Sequence, residues 1–60
     1  MQEETIVELL RQQTAKLNGK VSAYDKYNDK MDFVTDCRIL LQTISELLNE
    51  LADKIGREDE

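Results

Sequence analysis

Hydrophobic residues in this chain recur at helical spacing in two separate series. At about 100° per residue, the first series runs from Ile6 to Met31 within one arc of roughly 160°. Beyond Met31 the apolar positions shift by more than about 100°, which indicates that a new element begins there. Proline is absent, and no run alternates long enough to predict a strand. The pattern predicts an all-α chain of two helices.

A turn over residues 28–32 divides the chain into two arms of similar length. The fold predicted is an antiparallel two-helix hairpin, with helices at about 5–28 and 32–56. The strongest local breaker is Asn18-Gly19, and a turn there would instead leave one arm nearly three times as long as the other. Because the apolar series crosses Asn18-Gly19 in register, the equal hairpin is favoured over this alternative and over three helices.

Helix ends can be assigned from capping residues. Thr5 and Glu8 have the spacing of a capping box, and Asp32 can cap the second helix. Gly56 suits the residue that closes that helix. Residues 57–60 are then expected to be a frayed acidic tail on a single small helical domain, 1–60.

The second predicted helix has a broad apolar face of about 140°. Two seven-residue series lie on it, Val34/Leu41/Leu48/Ile55 and Cys37/Ile44/Leu51. The first arm is leaner and cannot cover such a face alone, so the hairpin is predicted to dimerise into a four-helix bundle. The residues expected to carry self-association are Phe33, Cys37, Leu40, Ile44, Leu47, Leu48, Leu51 and Ile55.

Length and composition support oligomerisation. A chain of 60 residues builds only a marginal core and is usually reinforced by disulfides, a metal or self-association. Cys37 is the only cysteine and histidine is absent, so neither an internal disulfide nor a common zinc site can form. The lone thiol is interpreted as a small buried hydrophobe in a reducing compartment. No apolar run reaches the ~18 residues of a membrane span, and the expected location is the cytoplasm.

The net charge of −5 is unevenly distributed. Residues 1–30 carry five acids and five bases, whereas residues 31–60 carry eight acids and three bases. A chain of this charge has no electrostatic reason to bind nucleic acid or an anionic membrane directly. An acidic DNA mimic is an alternative function, although eight carboxylates in thirty residues are sparse beside one phosphate per ~1.7 Å of duplex.

Two features are candidates for contact with a ligand or partner. Tyr24 and Tyr27, with Lys20 nearby, form an aromatic and basic cluster that could hold a nucleotide or another small ligand. Ile39 falls outside the apolar arc of the second helix and is a candidate contact to a partner protein. Tyrosines at helical spacing more often pack against a neighbour, and a single exposed Ile is common.

The function expected is that of a non-catalytic interaction protein. Without histidine, no nucleophile and base stand at a suggestive spacing, so no enzyme activity, cofactor or metal is predicted. The chain is expected to form homodimers and to bind an unknown target protein as an inhibitor, adaptor or assembly chaperone. Small helical proteins of this kind are frequent among phage, plasmid and bacterial accessory proteins. A helical oligomer that binds small ligands is the alternative.

Overall fold

The computed structural model describes residues 1–58 and has the form of a helical hairpin. Helix α1 spans Glu3–Ser22, a 3₁₀ turn spans Tyr24–Lys26, and helix α2 spans Lys30–Glu58. The two helices pack against each other along the hairpin, and no strand occurs within the described residues. The all-α hairpin predicted from the apolar pattern is therefore confirmed.

Helix α1 begins two residues earlier than predicted. Gln2 is the N-cap, and its carbonyl accepts a hydrogen bond from the Ile6 amide at 3.1 Å. Thr5 lies inside the helix, so its assignment to a capping box is wrong. Glu3 and Glu4 occupy the first turn, where their carboxylates interact favourably with the positive end of the helix dipole.

Helix α1 passes through Asn18-Gly19 without a break, as the apolar register predicted. It ends at Ser22, six residues before the predicted end, where the Ala23 amide donates to the carbonyls of Gly19 and Lys20, both at 3.1 Å. The helical spacing of apolar residues continues past Ser22 because Tyr24 and Tyr27 also contact Phe33 of α2. They do so from the turn and not from an α-helix.

The turn is organised around one aromatic ring of α2. The rings of Tyr24 and Tyr27 meet Phe33 edge to face, with centroids 4.9 Å and 5.5 Å away. The Lys30 ammonium donates to the carbonyls of Tyr24 and Tyr27 at 2.8 Å and 3.1 Å. The same ammonium lies 4.3 Å from the centroid of the Tyr24 ring. These contacts close the chain in seven residues, 23–29.

Asp29, not Asp32, caps the second helix. Its Oδ1 accepts a hydrogen bond from the Met31 amide at 2.9 Å, and its carbonyl accepts one from the Asp32 amide at 3.1 Å. Asp32 then lies in the first turn of α2. The prediction missed this cap because both aspartates stand near the phase shift and either could start a helix there.

At its far end, α2 continues past Gly56, so the predicted glycine closure at that residue is wrong. No glycine in the described residues has a positive φ, which is the conformation that a glycine cap requires. Of the predicted acidic tail, Arg57 and Glu58 are helical, and residues 59–60 lie outside the described part of the chain. The arms are unequal, with 20 residues in α1 and 29 in α2.

The core of the hairpin is thin. Among the described residues only two hydrophobic side chains are buried, Ile6 at 0% and Leu47 at 9% exposed. The molecule measures 49 × 16 × 13 Å, so the two helices of the described chain lie side by side without a third layer over them. Most of the apolar face of α2 is therefore only half covered.

Candidate functional site

One side of α2 presents a row of exposed aliphatic side chains. Leu41, Leu48 and Ile55, which we call the leucine stripe, are 51%, 50% and 46% exposed. Their seven-residue spacing keeps them nearly in line along the helix, with a drift of only about 20° per repeat. Large apolar side chains that line up in this way are typical of helix–helix interfaces.

The predicted self-association residues divide into three groups by burial. Leu47 is buried within the hairpin, so it supports the fold of a single chain. Leu48 and Ile55 belong to the exposed leucine stripe. The remaining five are half-buried between the helices: Phe33, Cys37, Leu40, Ile44 and Leu51. Leu41 is missing from the predicted set, although its place in the series with Leu48 and Ile55 could have identified it.

A hollow of about 400 Å³ adjoins the end of the leucine stripe. Val7, Leu51 and Ile55 provide its apolar lining, and the charged side chains around it are Glu3, Glu4 and Arg11. Because Ile55 belongs to both features, the hollow extends the leucine stripe across to α1. This side of the hairpin therefore combines a row of aliphatic residues with a recess that could receive side chains from another helix.

A larger groove of about 650 Å³ lies near the turn, between α1 and the first half of α2. We call it the lysine groove. Its apolar part is formed by Gly19, Ala23, Ile39 and Leu40, and its charged and polar part by Lys16, Lys20, Lys26, Tyr27 and Asp36. Ile39 and Leu48 are nine residues apart, which is about 180° around a helix. Leu40, which also lines the groove, is eight residues from Leu48 and therefore only about 80° from it. The lysine groove and the leucine stripe thus lie on different flanks of α2.

Three side chains form a polar cluster beside the lysine groove. The Tyr27 hydroxyl donates to Asp36 Oδ2 at 2.9 Å, and Lys20 Nζ lies 3.5 Å from the same oxygen. Desolvation and the hydrogen bond to Asp36 raise the pKa of Tyr27 above its ordinary value of 10.0. The pKa of Lys20 is raised above 10.5, first by the charge that Tyr27 acquires on ionisation and then by Asp36. The cluster thus keeps the phenol protonated and the ammonium charged.

The four predicted ligand or partner contacts are partly brought together. Lys20, Tyr27 and Ile39 all line the lysine groove, although 19 positions separate the first from the last in the sequence. Tyr24 is not part of its lining; its ring packs on Phe33 and under the Lys30 ammonium. Sequence reasoning missed Asp36 as a member, because its contact with Lys20 depends on how the two helices pair.

The described residues offer few groups for metal chemistry. Residues 1–58 contain no cluster of three acidic or cysteine side chains placed to hold a metal ion. The Cys37 thiol is free and half-buried. Neither helix of this part of the chain is long and apolar enough to cross a lipid bilayer.

Comparison with known proteins adds no relative on which a function could be based. No protein-family model matches the chain, and neither a curated protein nor a solved structure matches it.

Proposed function

We propose that this chain is a non-catalytic helical protein that forms a homodimer through the leucine stripe and acts by binding another protein. The observation that carries the proposal is the alignment of Leu41, Leu48 and Ile55, each about half exposed, along one side of α2. In a two-fold dimer each of these side chains occurs twice, so six aliphatic groups would leave water together.

The size of the hairpin is compatible with such a dimer. A standard interface buries about 800 Å² on each partner. The broad face of the hairpin measures 49 Å by 16 Å, and its projected area is similar to that value. The thin core also supports association. Only Ile6 and Leu47 are buried among the described hydrophobic residues, so further apolar burial would stabilise the chain considerably. Dimerisation of two hairpins would give the four-helix bundle expected from the apolar pattern.

The nucleotide-binding alternative receives less support. Base stacking needs an open aromatic face. The Tyr27 ring is half-buried against Phe33, and the Lys30 ammonium lies over the Tyr24 ring, although that side chain is 43% exposed. The Tyr27 hydroxyl is also engaged with Asp36. For this reason we favour protein–protein interaction over binding of a small ligand by the tyrosines.

Sedimentation of two matched variants tests the dimer. Leu48→Ser and Ile39→Ser both replace an exposed aliphatic residue of α2. Leu48 is 50% exposed and Ile39 is 59% exposed. Full burial of a leucine stabilises by about 1.5–3 kcal/mol, so covering the exposed half contributes about 1 kcal/mol. Since the residue occurs twice in a dimer, Leu48→Ser should weaken association by about 2 kcal/mol, or roughly 30-fold.

The expected result is a concentration-dependent dimer for the wild type and for Ile39→Ser, and a shift towards monomer for Leu48→Ser. A wild-type chain that stays monomeric at about 500 µM, corresponding to binding weaker than about −4.5 kcal/mol, would contradict the proposal. Equal weakening by the two substitutions would show that the leucine stripe is not the interface.

A further inference from the structure

We propose that the lysine groove is the site where the chain binds its partner, and that the partner presents an acidic amphipathic helix. This inference rests on the part of the proposed function in which the chain binds another protein. It does not depend on dimerisation, because the lining of the lysine groove contains none of the three residues of the leucine stripe. Both surfaces could be occupied at the same time.

Gly19 is the first indication that the lysine groove is kept open for a ligand. A glycine within a helix destabilises it by about 1 kcal/mol relative to alanine. Neither backbone nor packing requires it here, because no glycine has a positive φ and a Cβ at residue 19 would meet nothing within 4 Å. Gly19 does line the lysine groove. The effect of having no side chain there is to leave the space between the helices open.

The charge of the lysine groove defines its occupant. The chain has a net charge of −5, yet three of its five lysines, Lys16, Lys20 and Lys26, line this one feature. Lys20 is paired with Asp36, whereas Lys16 and Lys26 form no ion pair within residues 1–58. Two ammonium groups are therefore available beside an apolar surface, which complements carboxylates next to aliphatic side chains.

The shape of the lysine groove favours a helix. It is open along the seam between two helices, and helical partners commonly insert side chains at i, i+3, i+4 and i+7 into grooves of this kind. Ile39 is 59% exposed and would be covered by such side chains, while acids on the flank of the incoming helix would reach Lys16 and Lys26. An anionic bilayer or a DNA duplex extends well beyond the lysine groove, so it would also meet the acids along the rest of the 49 Å molecule at close range, which a short helix seated in the groove does not.

The far acids do not cancel this local attraction. The molecule is 49 Å long, and the Debye length at physiological ionic strength is about 8 Å. The carboxylates near the ends of the chain are therefore screened from a ligand at the turn end. Asp25, Asp29 and Asp32 are nearer, but they lie outside the lining of the lysine groove. Binding should weaken as salt is added, because the nearby ammonium groups supply part of the affinity.

Fluorescence anisotropy with two designed peptides tests the proposal on the full chain. The first probe is a labelled alanine-based helix of about four turns, with leucines at helical spacing and glutamates beside them. The second replaces each glutamate by lysine. The expected result is saturable binding of the glutamate peptide, at least tenfold tighter than that of the lysine peptide. Affinity should fall between about 0.05 and 0.5 M salt.

Variants of the protein locate the binding. Lys16→Glu and Lys26→Glu should each weaken binding of the glutamate peptide about fivefold, on the scale of an exposed ion pair that is reversed. Arg38→Glu is the control, since it makes the same change of charge outside the lysine groove. Gly19→Leu should abolish binding by filling the space while raising the melting temperature, because leucine favours helix more than glycine does.

The outcomes are decisive in both directions. Absence of saturable binding up to about 1 mM, a weak limit near −4 kcal/mol, would overturn the proposal, and so would unchanged binding to Gly19→Leu. Tighter binding of phosphatidylserine vesicles or of a single-stranded oligonucleotide than of the glutamate peptide would also overturn it. Sedimentation of the same samples reports dimerisation separately, so a failure of the lysine groove can be told apart from a failure of the leucine stripe.

Discussion

Replacing Gly19 by alanine should stabilise the protein. Residue 19 lies inside α1, three residues from its last helical residue, and an added Cβ would meet no atom within 4 Å. Alanine in a helix interior is favoured over glycine by about 0.8–1.0 kcal/mol, and part of this gain comes from a less flexible unfolded chain. For a chain of this size, 1 kcal/mol corresponds to an increase of up to about 8 °C in melting temperature.

Thermal unfolding followed by circular dichroism at 222 nm, a wavelength that reports helix, measures the shift at one fixed protein concentration. Gly56→Ala is the matched control, because a Cβ there also meets nothing within 4 Å. Gly56 lies two residues from the last helical residue of α2, where fraying reduces the gain, so its increase should be smaller. A neutral or lower melting temperature for Gly19→Ala would refute the reasoning. It would mean that α1 is interrupted at Asn18-Gly19 or that another chain packs against residue 19.

Three further predictions concern the cap, the core and the polar cluster. Asp29→Ala should destabilise the fold by about 1 kcal/mol in urea unfolding, because it removes the cap on α2. Asp25→Ala is the control and should change stability little; equal losses from the two substitutions would contradict the assignment of the cap to Asp29. Leu47→Ala should destabilise by about 2–3 kcal/mol because its side chain is buried, with a smaller loss for Leu48→Ala in dilute protein; the reverse order would place the core elsewhere. Because the folded state raises the pKa of Tyr27 above 10.0, the stability it contributes is complete below that pH and is lost as pH rises through the folded pKa. Urea midpoints between pH 8 and 11 should therefore fall more steeply for the wild type than for Tyr27→Phe. Parallel curves for the two proteins would show that ionisation of Tyr27 does not affect stability.

The sequence predicted the parts of the fold that depend on repeated spacing. Continuity of α1 through Asn18-Gly19 followed from an apolar register maintained over many residues, which outweighs a local preference of about 1 kcal/mol. The helix ends were harder to place, because several caps compete within a few residues. Tyr24 and Tyr27 stand at helical spacing from the apolar residues of α1, although they lie beyond the end of that helix. Periodicity alone therefore assigned them to α1.

Of the two candidate surfaces, the leucine stripe could be predicted from repeated spacing in the sequence, whereas the lysine groove depends on contacts between the two helices. The seven-residue series already contained the leucine stripe, and the structure separates its exposed members from the buried Leu47. The lysine groove could not be assembled from the sequence, because Lys20 and Asp36 meet only when the register between α1 and α2 is known. Ile39 looked like an isolated exposed residue for the same reason.

The thickness of the hairpin, 13–16 Å over a length of 49 Å, also bears on how freely its sequence can change. In the described part of this molecule, which is two helices wide, almost every side chain reaches solvent, and Ile6 and Leu47 are the only buried hydrophobic residues. Substitutions at exposed positions usually alter stability by less than about 0.5 kcal/mol. We therefore expect a broad mutational scan to leave folding intact at most positions, so that the surface can be remodelled for new partners while the two-helix frame persists.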